Sequence, residues 1–138
     1  VNIDKVKKIV EEVYPQIEKY YGFSKFHQCT PWIEYHYNIY IRTTGEDNPS
    51  MNEDFPEELK AEECDPDGEF DAQENTIVIY YRKMKSRKQI IETLIHEYQH
   101  YLQSPLWMKR YYNMGYDYSN HPYEVAAIAE EKNYKIFA

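Results

Sequence analysis

The chain reads as an α+β fold: an N-terminal helix, a small twisted, mostly antiparallel sheet of about three strands, and two further helices toward the C-terminus. Three observations predict it. Apolar residues recur at helical spacing over residues 2–21, side chains alternate at strand spacing over 32–43, and a capping signal opens a second helical stripe at Ser86. A length of 138 residues suits one domain, residues 1–138, with a core of its own.

In the first helix Ile3, Val6, Val10, Val13, Ile17 and Tyr21 recur every three or four residues, and Gly22 is a natural stop. Pro15 inside this stripe cannot donate a backbone hydrogen bond, which predicts a kink or two short helices in sequence. Over residues 32–43, Ile33, Tyr35, Tyr37, Ile39 and Ile41 alternate with polar neighbours, the pattern of a half-buried strand. Residues 76–82 are β-branched and aromatic, and residues 68–73 are placed to pair with them as the first arm of a hairpin.

Between those strands an excursion over about 46–74 holds 13 of the 24 acidic residues and a single base, Lys60, with Pro49, Pro56 and Pro66. It reads as a solvated surface segment. Its run from Asp65 to Asp71 spaces oxygen side chains as a calcium loop does, but the glycine and the twelfth residue, Thr76, fall in the wrong places, so a Pro-Asp-Gly turn is expected. If the excursion borders a substrate cleft, its charge favours basic peptides.

Ser86 and Gln89 match a capping box, and Ile90, Ile91, Leu94, Ile95, Tyr98 and Leu102 follow as the apolar face of a helix that Pro105 should end. A last helix is expected over about 122–134, with Pro122 at its first turn and Val125, Ile128 and Ala129 as its apolar side.

Composition narrows the function. With 16 Lys and Arg against 24 Asp and Glu the net charge is −8, which argues against a nucleic-acid partner, since that role needs a basic stripe. No apolar run approaches the ~20 residues of a membrane span, and the N-terminus has no signal-peptide character, so a cytoplasmic monomer is expected. Two cysteines, Cys29 and Cys64, allow at most one bridge and rule out a disulfide scaffold. The excess lies in tyrosine, 16 of 23 aromatic residues.

Within the second helix His96-Glu97-Tyr98-Gln99-His100 is H-E-x-x-H. Residues four apart share a helical face, so His96 and His100 can offer two imidazoles to one metal ion, while Glu97 is turned by roughly 100° and can reach a water beside it. Neutral imidazoles suit Zn²⁺. A catalytic zinc takes three protein ligands, and no glycine follows His100 before Gly115, nor any histidine before His121, which excludes the metzincin pattern. Glu124, in the first turn of the last helix, is the best third donor; His121, Asp117 and Glu130 are the alternatives. His27 and His36 lie far from the motif and are expected to be ordinary polar residues.

H-E-x-x-H on one helix and Glu124-Val-Ala-Ala127 on the next resemble the gluzincin metallopeptidases, most closely their minimal single-domain form, the minigluzincins. The order of elements is similar along most of the chain. The resemblance implies that His96, His100 and Glu124 bind zinc, that Glu97 is the catalytic carboxylate, and that the strand near 76–82 runs along the cleft and pairs with an extended peptide or protein substrate. The tyrosine-rich connection from His100 to Glu124 matches no particular subfamily. Tyr116, Tyr118 and Tyr123, or His121, could donate the hydrogen bond that a developing oxyanion needs. The expected activity is hydrolysis of peptide bonds inside an extended segment. The alternatives are a regulatory metalloprotease-like protein acting on one dedicated partner, and a non-catalytic zinc module whose site a fourth protein ligand closes.

Overall fold

A computed structural model describes residues 3–39 and 66–138. The alternating run beyond residue 39, Cys64 and most of the acidic excursion lie outside the described residues. Helix α1, Ile3–Tyr21, buries Val6, Val10, Val13 and Ile17 and is continuous through Pro15. The expected division into two helices does not occur. An interior proline costs about 3 kcal/mol, and Val10, Val13 and Ile17 around it are worth about 1.5–3 kcal/mol each when buried, enough to hold both halves in place. Gly22, at φ +79°, ends the helix, its N–H bonding to Glu18 O at 2.9 Å.

Strands β1 (Trp32–His36), β2 (Gly68–Asp71) and β3 (Thr76–Tyr80) form one sheet in the order β1-β3-β2. β2 and β3 are the antiparallel hairpin that the sequence suggests, with Gly68 opposite Ile79 and Asp71 opposite Thr76. Its turn is held by Asp71 Oδ1, which accepts from Gln73 N at 3.0 Å and Glu74 N at 3.2 Å. β1 pairs with β3 in parallel, Trp32 opposite Thr76. The sheet is therefore mixed, a property that alternation cannot predict because a period of two carries no strand direction. All five residues of β3 are buried. Its Ile77 and Ile79 join Val13 and Ile17 of α1 in one core.

Helix α2, Arg87–Leu102, starts as read: Ser86 Oγ accepts from Gln89 N at 3.1 Å, and Gln89 Oε1 returns to accept from Lys85 N at 2.9 Å. It buries Ile91, Leu94, Ile95 and Tyr98 against α1 and the sheet, and Thr93, His96, Glu97 and His100 as well. Pro105 both stops α2 and opens a helix absent from the sequence reading, α3 (Pro105–Asn113), with Ser104 as its cap. α3 has no buried residue, so it carries no apolar stripe to be recognised.

The last helical stretch is α4 (Pro122–Glu130), a 3₁₀ turn at Glu131–Asn133 and α5 (Tyr134–Phe137). The face expected to be buried is the wrong one. Val125 and Ile128 are 51% and 54% exposed, and Glu124 and Ala127 face α2 instead. Contact with the two histidines, more than hydropathy, fixes the rotation of α4. No helix among the described residues is long and apolar enough to cross a membrane.

Candidate metal centre

The middle of α2 and the first turn of α4 bring three ligand atoms together. Glu124 Oε1 lies 3.0 Å from His96 Nε2 and 2.8 Å from His100 Nε2, and the two nitrogens are 3.3 Å apart. Glu97 stands beside them, its carboxylate within 4.8 Å of the imidazole nitrogens. All four side chains are buried. A tetrahedral ion with bonds of about 2.0–2.1 Å keeps its ligand atoms about 3.3–3.4 Å apart. The observed separations of 2.8–3.3 Å need to open by about half an ångström at most, so this donor set fits a divalent ion that favours imidazole and carboxylate.

Outer hydrogen bonds orient both rings. His96 Nδ1 meets Glu131 Oε2 at 2.8 Å, and His100 Nδ1 meets Gln103 Oε1 at 2.7 Å. Donation through Nδ1–H turns each Nε2 inward. Neither pairing was read from the sequence, although both leave a trace there: Glu131 follows Glu124 by seven residues, two turns on the same face, and Gln103 shares the polar face of the histidines three residues after His100.

The charges are strongly coupled. Burial alone would depress His96, but hydrogen bonds to Glu124 and Glu131 outweigh it and raise its pKa to about 10. His100 is raised in the same way, by Glu124 against the pull of burial. Burial opposes ionisation of Glu124, yet bonds to His100 and His96 bring it down to about 2. Glu97 differs: burial dominates the attraction of the two histidines and lifts it to about 7.

A cleft of about 540 Å³ opens onto this centre, with Gly68, Glu69 and Phe70 of β2 on one wall. Gly68 is obligatory there, since a Cβ would lie 2.8 Å from Val78 O and 2.9 Å from Thr93 Cγ2. The strand expected along the cleft, near 76–82, is instead the central β3. Both of its edges are paired, which leaves it no hydrogen bonds for a substrate, and β2 takes the place at the cleft.

The remaining candidates separate by position. Tyr118 lines the cleft and Tyr116 does not; Tyr116 packs edge-on against Tyr111. Tyr112, not singled out from the sequence, also lines the cleft. Tyr118, although 62% exposed, is shifted upward by partial loss of solvent at the cleft wall and by the charges of Glu124 and Glu97, so its phenol keeps its proton. His121 is fully buried with both ring nitrogens committed to the main chain: Nε2–H donates to Met108 O at 2.9 Å and Nδ1 accepts from Tyr123 N at 3.0 Å. It caps α4 and is free neither to ligate nor to donate to an oxyanion. Asp117 accepts from Ser119 and Asn120 in an exposed turn, and Glu130 accepts from Tyr21 and Asn133, so neither alternative ligand reaches the centre. His27 stacks on Tyr101, and His36 lies on β1. Cys29 is exposed.

No family model, curated protein or solved structure matches the chain. What stands is a buried His-Glu-His group at metal-binding distance on one helix, with Glu124 against it.

Proposed function

We propose that the protein is a zinc metallopeptidase of the gluzincin kind, with His96, His100 and Glu124 as ligands. The observation that supports this reading is the convergence of His96 Nε2, His100 Nε2 and Glu124 Oε1 within 2.8–3.3 Å of one another, next to a buried Glu97 in an open cleft. Zinc held by this set supplies a Lewis acid that acidifies a water molecule and polarises a carbonyl group.

The residues of the chain do the rest. Glu97, lifted to about 7 by burial, is placed to take the proton of the attacking water and hand it to the leaving amine. Tyr118 and Tyr112 offer protonated phenols along the cleft for the developing oxyanion. Glu131 and Gln103 hold the two imidazoles in register. β2, whose other edge is paired with no described strand, offers backbone groups to an extended peptide.

The test is metal content together with hydrolysis. The purified protein should hold about one zinc per chain, and Glu97→Gln should keep the metal while losing about 10²–10⁴-fold in peptide hydrolysis. If Glu97 closed the coordination as a structural fourth ligand, its replacement would lower zinc content instead. If the protein served one dedicated partner, unrelated peptides and casein would stay intact.

A further inference from the structure

The cleft changes chemical character along α2. Glu92 precedes His96 by four residues and Thr93 by three, so both continue the face of the histidines one turn toward the N-terminus. Together with Asp67 and Glu131 they line a side lobe of about 380 Å³ that shares His96, Glu97 and Gly68 with the main cleft. No lysine or arginine is among its lining residues. Asp67 is 3.8 Å from Lys83, and Glu131 is engaged by His96. Glu92 has no hydrogen-bond or ion-pair partner among the described residues. Glu97, 94% buried (6% exposed), borders the same lobe and likewise has no hydrogen-bond partner among the described residues.

Beyond His100 the wall is different. Pro105, Met108 and Tyr112, from the α3 that follows α2, line it together with Phe70 and Ala72 of the β2 side and the uncharged Gln103 and Ser104. None of these side chains is charged. From Glu92 to Gln103 the chain climbs about 16 Å at ~1.5 Å per residue, the span of about five residues of extended peptide at ~3.3 Å each.

We infer that the cleft selects an extended peptide of about five residues with a lysine or arginine over Glu92 and a bulky apolar side chain over Met108 and Tyr112, on opposite sides of the centre. A cation in the side lobe gains the unanswered carboxylate, and an acidic side chain there meets like charge in a partly enclosed space. An aromatic or large aliphatic side chain at the other end leaves water for an apolar wall. The inference extends the metallopeptidase reading in taking a peptide as the occupant.

Two sets of four labelled hexapeptides test it, one set for each chain direction, each combining Lys or Glu at one end with Phe or Ser at the other. Binding to the as-purified Glu97→Gln protein is followed by fluorescence anisotropy, and turnover by the wild type is measured separately. In one direction the Lys/Phe peptide should bind best, and changing Lys to Glu or Phe to Ser should each weaken binding about tenfold. The charge preference should shrink as salt rises from 0.05 to 0.5 M, roughly through the range where screening sets in. Glu92→Gln should abolish the charge preference and Glu92→Lys should reverse it. Equal affinity for the four peptides within both sets, or a charge preference that both Glu92 variants retain, overturns the inference. Selective binding without turnover leaves the inference standing and sinks the peptidase reading; turnover without selectivity does the reverse.

Discussion

Glu131 Oε2 lies 2.8 Å from His96 Nδ1, so the imidazole is gripped from outside by a carboxylate two helical turns beyond the one that meets it from inside. Such outer partners fix the tautomer and raise the basicity of a ligating ring. Glu131→Ala should weaken zinc binding by about 10–100-fold with the fold intact, read by competition with a chromophoric chelator. Unchanged affinity would show that the contact does not orient the ring.

The raised histidines set the pH dependence of metal uptake. At pH 7 His96, at about 10, is protonated in the metal-free protein, and His100 is shifted the same way. Metal must displace those protons, so affinity rises with pH through the neutral range. Calorimetry at pH 7 in two buffers of different ionisation enthalpy should report at least about one proton released per ion, that of His96. Release of none would contradict the assigned charge state.

The same shifts govern stability without metal. The folded pKa of His96 exceeds its ordinary 6.5, so its contribution is complete below 6.5 and disappears as pH rises through about 10. Glu124 is depressed from 4.5 to about 2, and its contribution is complete above 4.5 and disappears as pH falls through about 2. The Tm of chelator-treated protein should therefore be highest between these limits and fall toward pH 10. A Tm that climbs steadily from pH 6.5 to 10 would refute the charge assignments.

Among the tyrosines, Tyr118→Phe should lower kcat by at least about tenfold with KM little changed, the signature of a bond made mainly in the transition state. Tyr116→Phe, off the cleft, should stay within about twofold of wild type. Steady-state kinetics on one fluorogenic peptide decides it, and equal effects of the two changes would remove Tyr118 from the mechanism.

His121→Ala removes a cap and leaves Met108 O and Tyr123 N without their side-chain partner. The expected cost is about 1–3 kcal/mol of stability, measured by urea unfolding, with zinc content preserved. Loss of zinc in a folded variant would return His121 to the metal.

Much of the site was legible because one face of one helix carries it. The four-residue interval from His96 to His100 needs only helical geometry, and the Ser86 cap with its apolar stripe supplies the helix. The chemistry of a third donor and the start of the last helix pointed to Glu124, which lies against both histidines. Where sequence reading failed, a tertiary contact outweighed a local preference. Val125 and Ile128 face outward because α4 turns Glu124 toward the histidines. β3 became the central strand because β1 and β2 pair with its two edges, and alternation says nothing about neighbours. α3 hid because nothing on it is buried.

The tyrosine-rich connection between His100 and Glu124 has a mechanical consequence. His100 is bonded to Gln103, Gln103 Nε2 donates to Tyr123 O at 3.1 Å, Tyr123 N to His121, and His121 to Met108 O on α3. This circuit returns to α2 through the two-residue elbow at Gln103 and Ser104, so the ligand-bearing helices are braced by protein bonds alone. An ion bound by the proposed ligands would therefore enter between helices that these contacts already join. Stripping it should silence the protein without unfolding it, and adding it back should restore activity at the speed of binding, with no wait for refolding.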